Sequence, residues 1–170
     1  MSVRISIVIP VYNAEDTIID CLDSLAEQTT NKEYYEVICI DDGSTDRTSK
    51  LLKNYIQIAN YKIFNQINSG PARARNEGAE LAIGNIILFT DSDCILDRNW
   101  ISEMIKPLED KSIAGVQGAY KTKQISIIAL FDQIDIESRY NKMKKKDFID
   151  SIGIYSAAYR RDIFYEIWRI

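Results

Sequence analysis

Short apolar runs rich in β-branched residues alternate with helical patterns through the first two-thirds of the chain. "RISIVIP" (4–10), "YEVICID" (35–41), "YKIFNQ" (61–66) and "NIILFTD" (85–91) have the length and composition of buried strands. Between them, "AEDTIIDCLDSLAEQ" (14–28) places Ile18, Cys21, Leu22 and Leu25 on one helix face. "STDRTSKLLKNYIQIA" (44–59) predicts a second helix with Ser44 as its N-cap. "GPARARNEGAELAIG" (70–84) predicts a third, with Pro71 near its first turn and Gly84 past its end. After Asp93 the pattern loosens into a helix over 97–110, a strand over 113–120, a helix over 123–148, and a strand leading into a helix over 149–167. The "KMKKK" run (142–146) reads as a solvated helix end or loop.

Strand–helix alternation of this kind predicts an α/β fold, a mainly parallel sheet with helices on both faces. Such sheets bind ligands outside the carboxyl ends of their strands. The four strand ends read "PVYN", "DDGSTD", "NQINSG" and "DSD", all polar or turn-forming, and are expected to meet on one rim.

Composition narrows the field. A chain of 170 residues, 46% of them hydrophobic, supports one well-buried domain and is too short for two independent cores. A net charge of −4 offers no basic field for nucleic acid. The three cysteines, Cys21, Cys39 and Cys94, lack C-x-x-C spacing and read as reduced, buried thiols. With no histidine anywhere, a zinc site is disfavoured. No apolar run approaches the ~20 residues that span a bilayer. "MSVRISIVIP" enters a strand without the regions of a signal peptide, so a cytoplasmic location is expected.

Candidate chemistry sits at the strand ends. Asp91 and Asp93 flank Ser92, and in an extended segment residues i and i+2 point the same way, so both carboxylates can face one cation. Mg²⁺ and Mn²⁺ favour such oxygen donors, especially with phosphates completing the shell. An ordinary strand-end turn uses the same residue types. Asp42 can accept a hydrogen bond from a base N–H or a ribose hydroxyl, whereas Asp46 suits the first turn of a helix. Arg73 and Arg75 stand near a positive helix end, at odds with its dipole by ~0.3–1 kcal/mol per charge, which a docked diphosphate offsets. Surface pairing accounts for Arg73; Arg75, beside Asn76, is the better ligand candidate. In "IPVYNAE" Tyr12 offers a flat ring for a base.

Taken together, "SIVIPVYNAEDTIIDCLDSLAEQT", "EVICIDDGSTDRT" and "NSGPARARNEGAELAIGNIILFTDSD" resemble the nucleotide-sugar half of a family-2 glycosyltransferase with the glycosyltransferase-A fold, in order, gaps and residue types over about 4–94. "GIYSAAYRRDIFYEI" (153–167) is similar to the family's acceptor-side segment. The resemblance implies a Rossmann-like nucleotide-diphospho-sugar transferase fold in one domain, with a nucleotide-sugar subdomain over 1–95 and a partial acceptor-side subdomain over 96–170. It implies that Pro10, Val11, Tyr12 and Asn13 line the base and ribose, that Asp42 binds the pyrimidine edge, and that Asn68, Gly70 and Arg75 lie around the nucleotide and its diphosphate. Asp91, with Ser92, would meet the ribose or metal, and Asp93 would ligate Mn²⁺ or Mg²⁺. The implied reaction is metal-dependent inverting transfer of a sugar from a nucleotide-sugar, UDP-linked by preference over GDP or TDP. The acceptor would be a hydroxyl of a glycan, lipid or other molecule. Cell-envelope polysaccharide synthesis and peripheral contact with the inner face of the membrane follow as expectations.

The chain departs from the family near its end. Members usually continue into a Gly-Gly-Phe-Asp-Glu-like stretch that supplies a general base, whereas this sequence reads "EIWRI". Trp168 and Arg169 stand at the paired-glycine positions, and Glu166 is out of register, so either this is a shortened version of a longer protein or the base comes from elsewhere. Two alternatives stay open. One is a nucleotide-sugar-binding module without turnover; the other is a sugar nucleotidyltransferase, although "PVYNAED" lacks the Gly-rich basic loop such enzymes carry. A dinucleotide oxidoreductase fares worse, since no G-x-G-x-x-G follows the first strand.

Overall fold

In a computed structural model, which describes residues 4–122, 127–143, 149 and 152–167, six strands form one sheet. These are β1 (Ile5–Val11), β2 (Tyr35–Asp41), β3 (Tyr61–Asn65), β4 (Ile86–Thr90), β5 (Gly115–Gln117) and β6 (Ser156–Arg160), in the order β3-β2-β1-β4-β6-β5. β1 to β4 run parallel, so their carboxyl ends share one edge. β6 runs antiparallel to β4 and to β5. The expected mainly parallel sheet is therefore present, with one reversed strand inside it.

The central strand explains the layering. β1 is buried along its whole length, and alternation sends its residues to two cores. Ile5, Ile7, Ile9 and Val11 join α1 (Ile18–Ala26), α2 (Thr48–Leu52) and α4 (Trp100–Ile105). Val8, Ile38, Ile87 and Phe89 face α3 (Pro71–Leu81) and α6 (Arg161–Ile167) through Ala74, Ala79 and Phe164. α3 lies close because it is built of small residues: a Cβ on Gly78 would come 2.4 Å from Val8 Cγ1.

β2 has the bounds expected from the sequence, β3 ends one residue early, and β1 and β4 each differ by one residue at both ends. The second helix differs more. It starts at Thr48, not Ser44, and yields to a 3₁₀ turn at Lys53–Tyr55. Ser44 caps nothing; its N–H donates to Asp41 Oδ1 and its Oγ accepts from the Asn13 N–H. Asp46 takes the capping duty by accepting the Thr48 N–H at 2.9 Å. The 97–110 helix likewise shortens to α4 and a 3₁₀ turn at Lys106–Glu109, where Pro107 lacks an N–H. Gly84 stands three residues past α3 because a Cβ there would meet the Ile5–Ser6 backbone at 2.7 Å. α5 (Ile127–Met143) fills the described part of the expected 123–148 helix. Lys144 to Lys146, Trp168 and Arg169 lie outside the described residues.

Candidate functional site

β1 is the point where the chain reverses its direction across the sheet: β2 and β3 lie to one side, β4 to the other. A crevice opens outside the carboxyl ends at such a reversal. Here it is a cleft of about 540 Å³ lined by Pro10, Val11, Tyr12, Asp42, Asn68, Gly70, Pro71, Arg75, Asp91, Ser92 and Asp93. Ten of the eleven residues singled out in the sequence therefore line one cavity, with Pro71 added.

Asp42 is the organising carboxylate of this rim. Its N–H donates to the Val11 carbonyl, extending the β1–β2 ladder past the strands. Although 3% exposed, its side chain is well satisfied: Oδ1 accepts from Gln66 Nε2 at 2.6 Å and from the Ser69 N–H at 2.8 Å, and Oδ2 accepts from the Gly70 N–H at 2.8 Å. Oδ2 thus keeps acceptor capacity. Gly70, at φ 90°, turns the chain into α3, a conformation that favours glycine. Gly43, at φ 74°, is needed twice over, since a Cβ there would also meet the Asn68 N–H nitrogen at 2.9 Å.

On the opposite wall, Arg75 Nη2 donates to Asp91 Oδ1 at 2.5 Å. Both side chains are largely sheltered, and Arg75 Nε is buried with no partner. Asp91 to Cys94 is not extended, contrary to expectation. It forms a turn in which the Cys94 N–H donates to the Asp91 carbonyl at 3.2 Å. The two carboxylates reach one cleft through that turn instead of through strand pleating. α1 backs the turn: Cys21 Sγ lies 3.6 Å from the Asp91 carbonyl oxygen. Gln28 bonds both the Asp97 carbonyl and the Ile101 N–H. Burial, then the charge of Asp93, pushes the Cys94 thiol up, and burial carries Cys39 to about 12.

Tyr12 is half exposed in the cleft, offering a ring face. Asn13 does not line it. Its Oδ1 accepts from the Thr45 N–H at 2.8 Å, tying the loop after β1 to the loop after β2. Sequence reasoning missed this use of Asn13, and also Gln66 and Ser69 as supports of Asp42. The polar run at the end of β3 was the only signal for the latter pair.

Could the cleft hold a divalent cation? Among the described residues no group of three Asp, Glu, Cys or His side chains converges on one point. Asp91 and Asp93 offer oxygen donors alone, Asp93 being exposed. That donor set fits Mg²⁺ or Mn²⁺ whose remaining positions are filled by phosphate oxygens and water.

A family model described as Glycosyl transferase family 2 matches residues 6–168. The poly(ribitol-phosphate) beta-glucosyltransferase of Bacillus spizizenii is 50% identical over 93 residues, 53% of this chain and 15% of that protein. Glycosyltransferase GlyG of Streptococcus pneumoniae is 33% identical over 122 residues, 71% of this chain and 40% of its own length. The chain thus spans less than half of these curated relatives. Among solved structures, the mannosyltransferase PcManGT of Pyrobaculum calidifontis, in complex with GDP-Man and Mn²⁺, superposes with a TM-score of 0.81. It shares 21% identity over 99% of this chain and 47% of its own. S. aureus TarS 1–349 in complex with UDP-GlcNAc gives 0.73 at 22% identity, over 96% and 47%. At these identities the structural likeness establishes the fold. No helix among the described residues is long and apolar enough to cross a membrane.

Proposed function

This chain belongs to glycosyl transferase family 2 and has the glycosyltransferase-A fold, and from that premise we propose that it binds a nucleotide-sugar, UDP-linked by preference, and transfers the sugar with inversion to an acceptor hydroxyl. The observation that carries the reading is the meeting of Asp42, Arg75, Asp91 and Asp93 on one cleft at the sheet's reversal point. UDP-GlcNAc bound to one structural neighbour supports the choice of donor, and the poly(ribitol-phosphate) relatives support an envelope polymer as acceptor. GDP-Man in the other neighbour keeps the base itself a matter for experiment.

Each residue has a physical task in this reading. The base lies against Tyr12, with its N–H aimed at the spare acceptor capacity of Asp42 Oδ2. Pro10, Val11 and Asn68 close the walls around base and ribose. Ser92, between the two carboxylates, lies beside the ribose. Gly70 and the start of α3 present backbone to the diphosphate, and Arg75 exchanges Asp91 for a phosphate oxygen as that charge arrives. Asp93, with Asp91, would hold Mn²⁺ or Mg²⁺, which when bound supplies positive charge against the leaving diphosphate. A carboxylate general base on the acceptor side would take the hydroxyl proton, an effect worth ~10²–10⁴-fold in rate. We place the reaction on the cytoplasmic side of the membrane; no helix among the described residues is long and apolar enough to cross it.

The test is a donor panel: UDP-glucose, UDP-GlcNAc and GDP-mannose titrated calorimetrically with Mn²⁺ present. Tighter binding of the UDP-sugars is the expected result. Preference for GDP-mannose would reassign the base, and binding of none would overturn the reading.

A further inference from the structure

The loop after β1 and the loop after β2 are zipped together by side chains that each cap the other's backbone. The N–H groups of Asn13, Ala14 and Glu15 donate to Ser44 Oγ (3.0 Å), Thr48 Oγ1 (2.8 Å) and Asp46 Oδ2 (3.2 Å). In return the N–H groups of Thr45 and Arg47 donate to Asn13 Oδ1 (2.8 Å) and Glu15 Oε2 (2.9 Å). Arg47 Nε adds a second bond to that Glu15 oxygen at 3.0 Å. Five consecutive-loop amides that would otherwise need water are satisfied across the gap, by residues 31 to 34 apart in sequence. Among the described residues Asn13 alone, apart from glycines, has a positive φ, 45°. Asparagine tolerates that conformation better than most side chains.

We propose that Asn13 is a positioning residue for the donor's base, and that the latch it closes sets the width of the slot between Tyr12 and Asp42. Tyr12 stands between two anchored neighbours. Val11 is held to Asp42 by the bond from the Asp42 N–H at 2.8 Å, and Asn13 is held to Thr45. The left-handed turn at Asn13 lets the half-exposed Tyr12 ring face the cleft while the chain departs into α1. A backbone held this way on both sides of Tyr12 meets the base with that much less conformational freedom left to lose, which is where preorganisation adds affinity. Asn13 acts through Tyr12 and need not touch the ligand. The inference rests on the nucleotide-sugar reading above.

The two contributions of Asn13, conformation and acceptor, are separable. Asn13→Gly keeps the positive φ and deletes Oδ1; Asn13→Asp keeps an Oδ acceptor for the Thr45 N–H. UDP and, separately, inorganic pyrophosphate would be titrated with Mn²⁺ into the wild-type chain and both variants, well below each one's thermal midpoint. Asn13→Gly removes the acceptor of both the Thr45 N–H and the Thr45 hydroxyl, and is expected to weaken UDP roughly three- to tenfold and to leave pyrophosphate unchanged. Asn13→Asp is expected to restore UDP affinity. Wild-type affinity in Asn13→Gly, or equal loss of UDP and pyrophosphate, overturns the positioning role while leaving the donor reading intact. Failure of the wild-type chain to bind UDP overturns both.

Discussion

Asp42 shows how one buried carboxylate can build a site before any ligand arrives. It gathers Gln66, Ser69 and Gly70 from beyond β3 and so shapes the entry to α3, the helix that carries Arg75. Asp42→Asn replaces one acceptor oxygen by an NH₂ group that must face an N–H donor. Leaving a buried donor unmet costs about 1–3 kcal/mol. The variant is therefore expected to lose about that much stability in urea, and UDP affinity along with it. An unchanged denaturation midpoint would show that the 66–70 loop does not depend on this carboxylate. Its neighbour Asp41 does unrelated work, holding the Ser44 N–H and the Ser49 hydroxyl. The sequence alone could nominate both aspartates as strand-end acids, but only the direction each side chain takes past β2 separates a cleft residue from a loop brace.

At the scale of elements, the site depends on how closely α3 approaches the sheet. Gly78 sits over Val8, which is fully buried, and a methyl group there has nowhere to go. Gly78→Ala is expected to destabilise by about 1–3 kcal/mol despite alanine's better helix propensity. Combining it with Val8→Ala should cost less than the sum of the two single changes, as contacting residues do. Full additivity would mean the helix has already relaxed away from β1. The strands were legible from the sequence because β1, β2 and β4 are apolar-rich runs ended by turn formers, interrupted in β1 by Ser6 and in β2 by Glu36, which pair with each other. The second helix was not, because Ser44 and Thr45 look like a helix start and are instead spent on the loop of Asn13, while Asp46 divides its two oxygens between the Glu15 N–H and the Thr48 N–H that opens α2. The "DSD" segment misled in the same way. Alternation argues for an extended pair, yet the Cys94 N–H closes a turn on the Asp91 carbonyl. In both places a contact distant or local in sequence outweighed the pattern.

The whole molecule is a sheet whose reversal point gathers chemistry from three strands and one helix. Parallel pairing of β1 with β2 and β4 puts Val11, Asp42 and Asp91 at neighbouring strand ends, and α3 returns Arg75 to them. That convergence was readable from the strand tips alone, because parallel strands end on one edge whatever their order. The antiparallel β6 was not, since nothing in "YSAAYRR" distinguishes the two directions. We propose that this edge holds a nucleoside diphosphate together with a divalent cation. Calorimetric titration of UDP with and without Mn²⁺, in the wild-type chain and in Asp93→Ala, tests it most directly. Mn²⁺ is expected to tighten UDP by at least about tenfold in the wild type, and that gain to vanish in Asp93→Ala. The same Mn²⁺ dependence in both chains, or no UDP binding by the wild type, would contradict it.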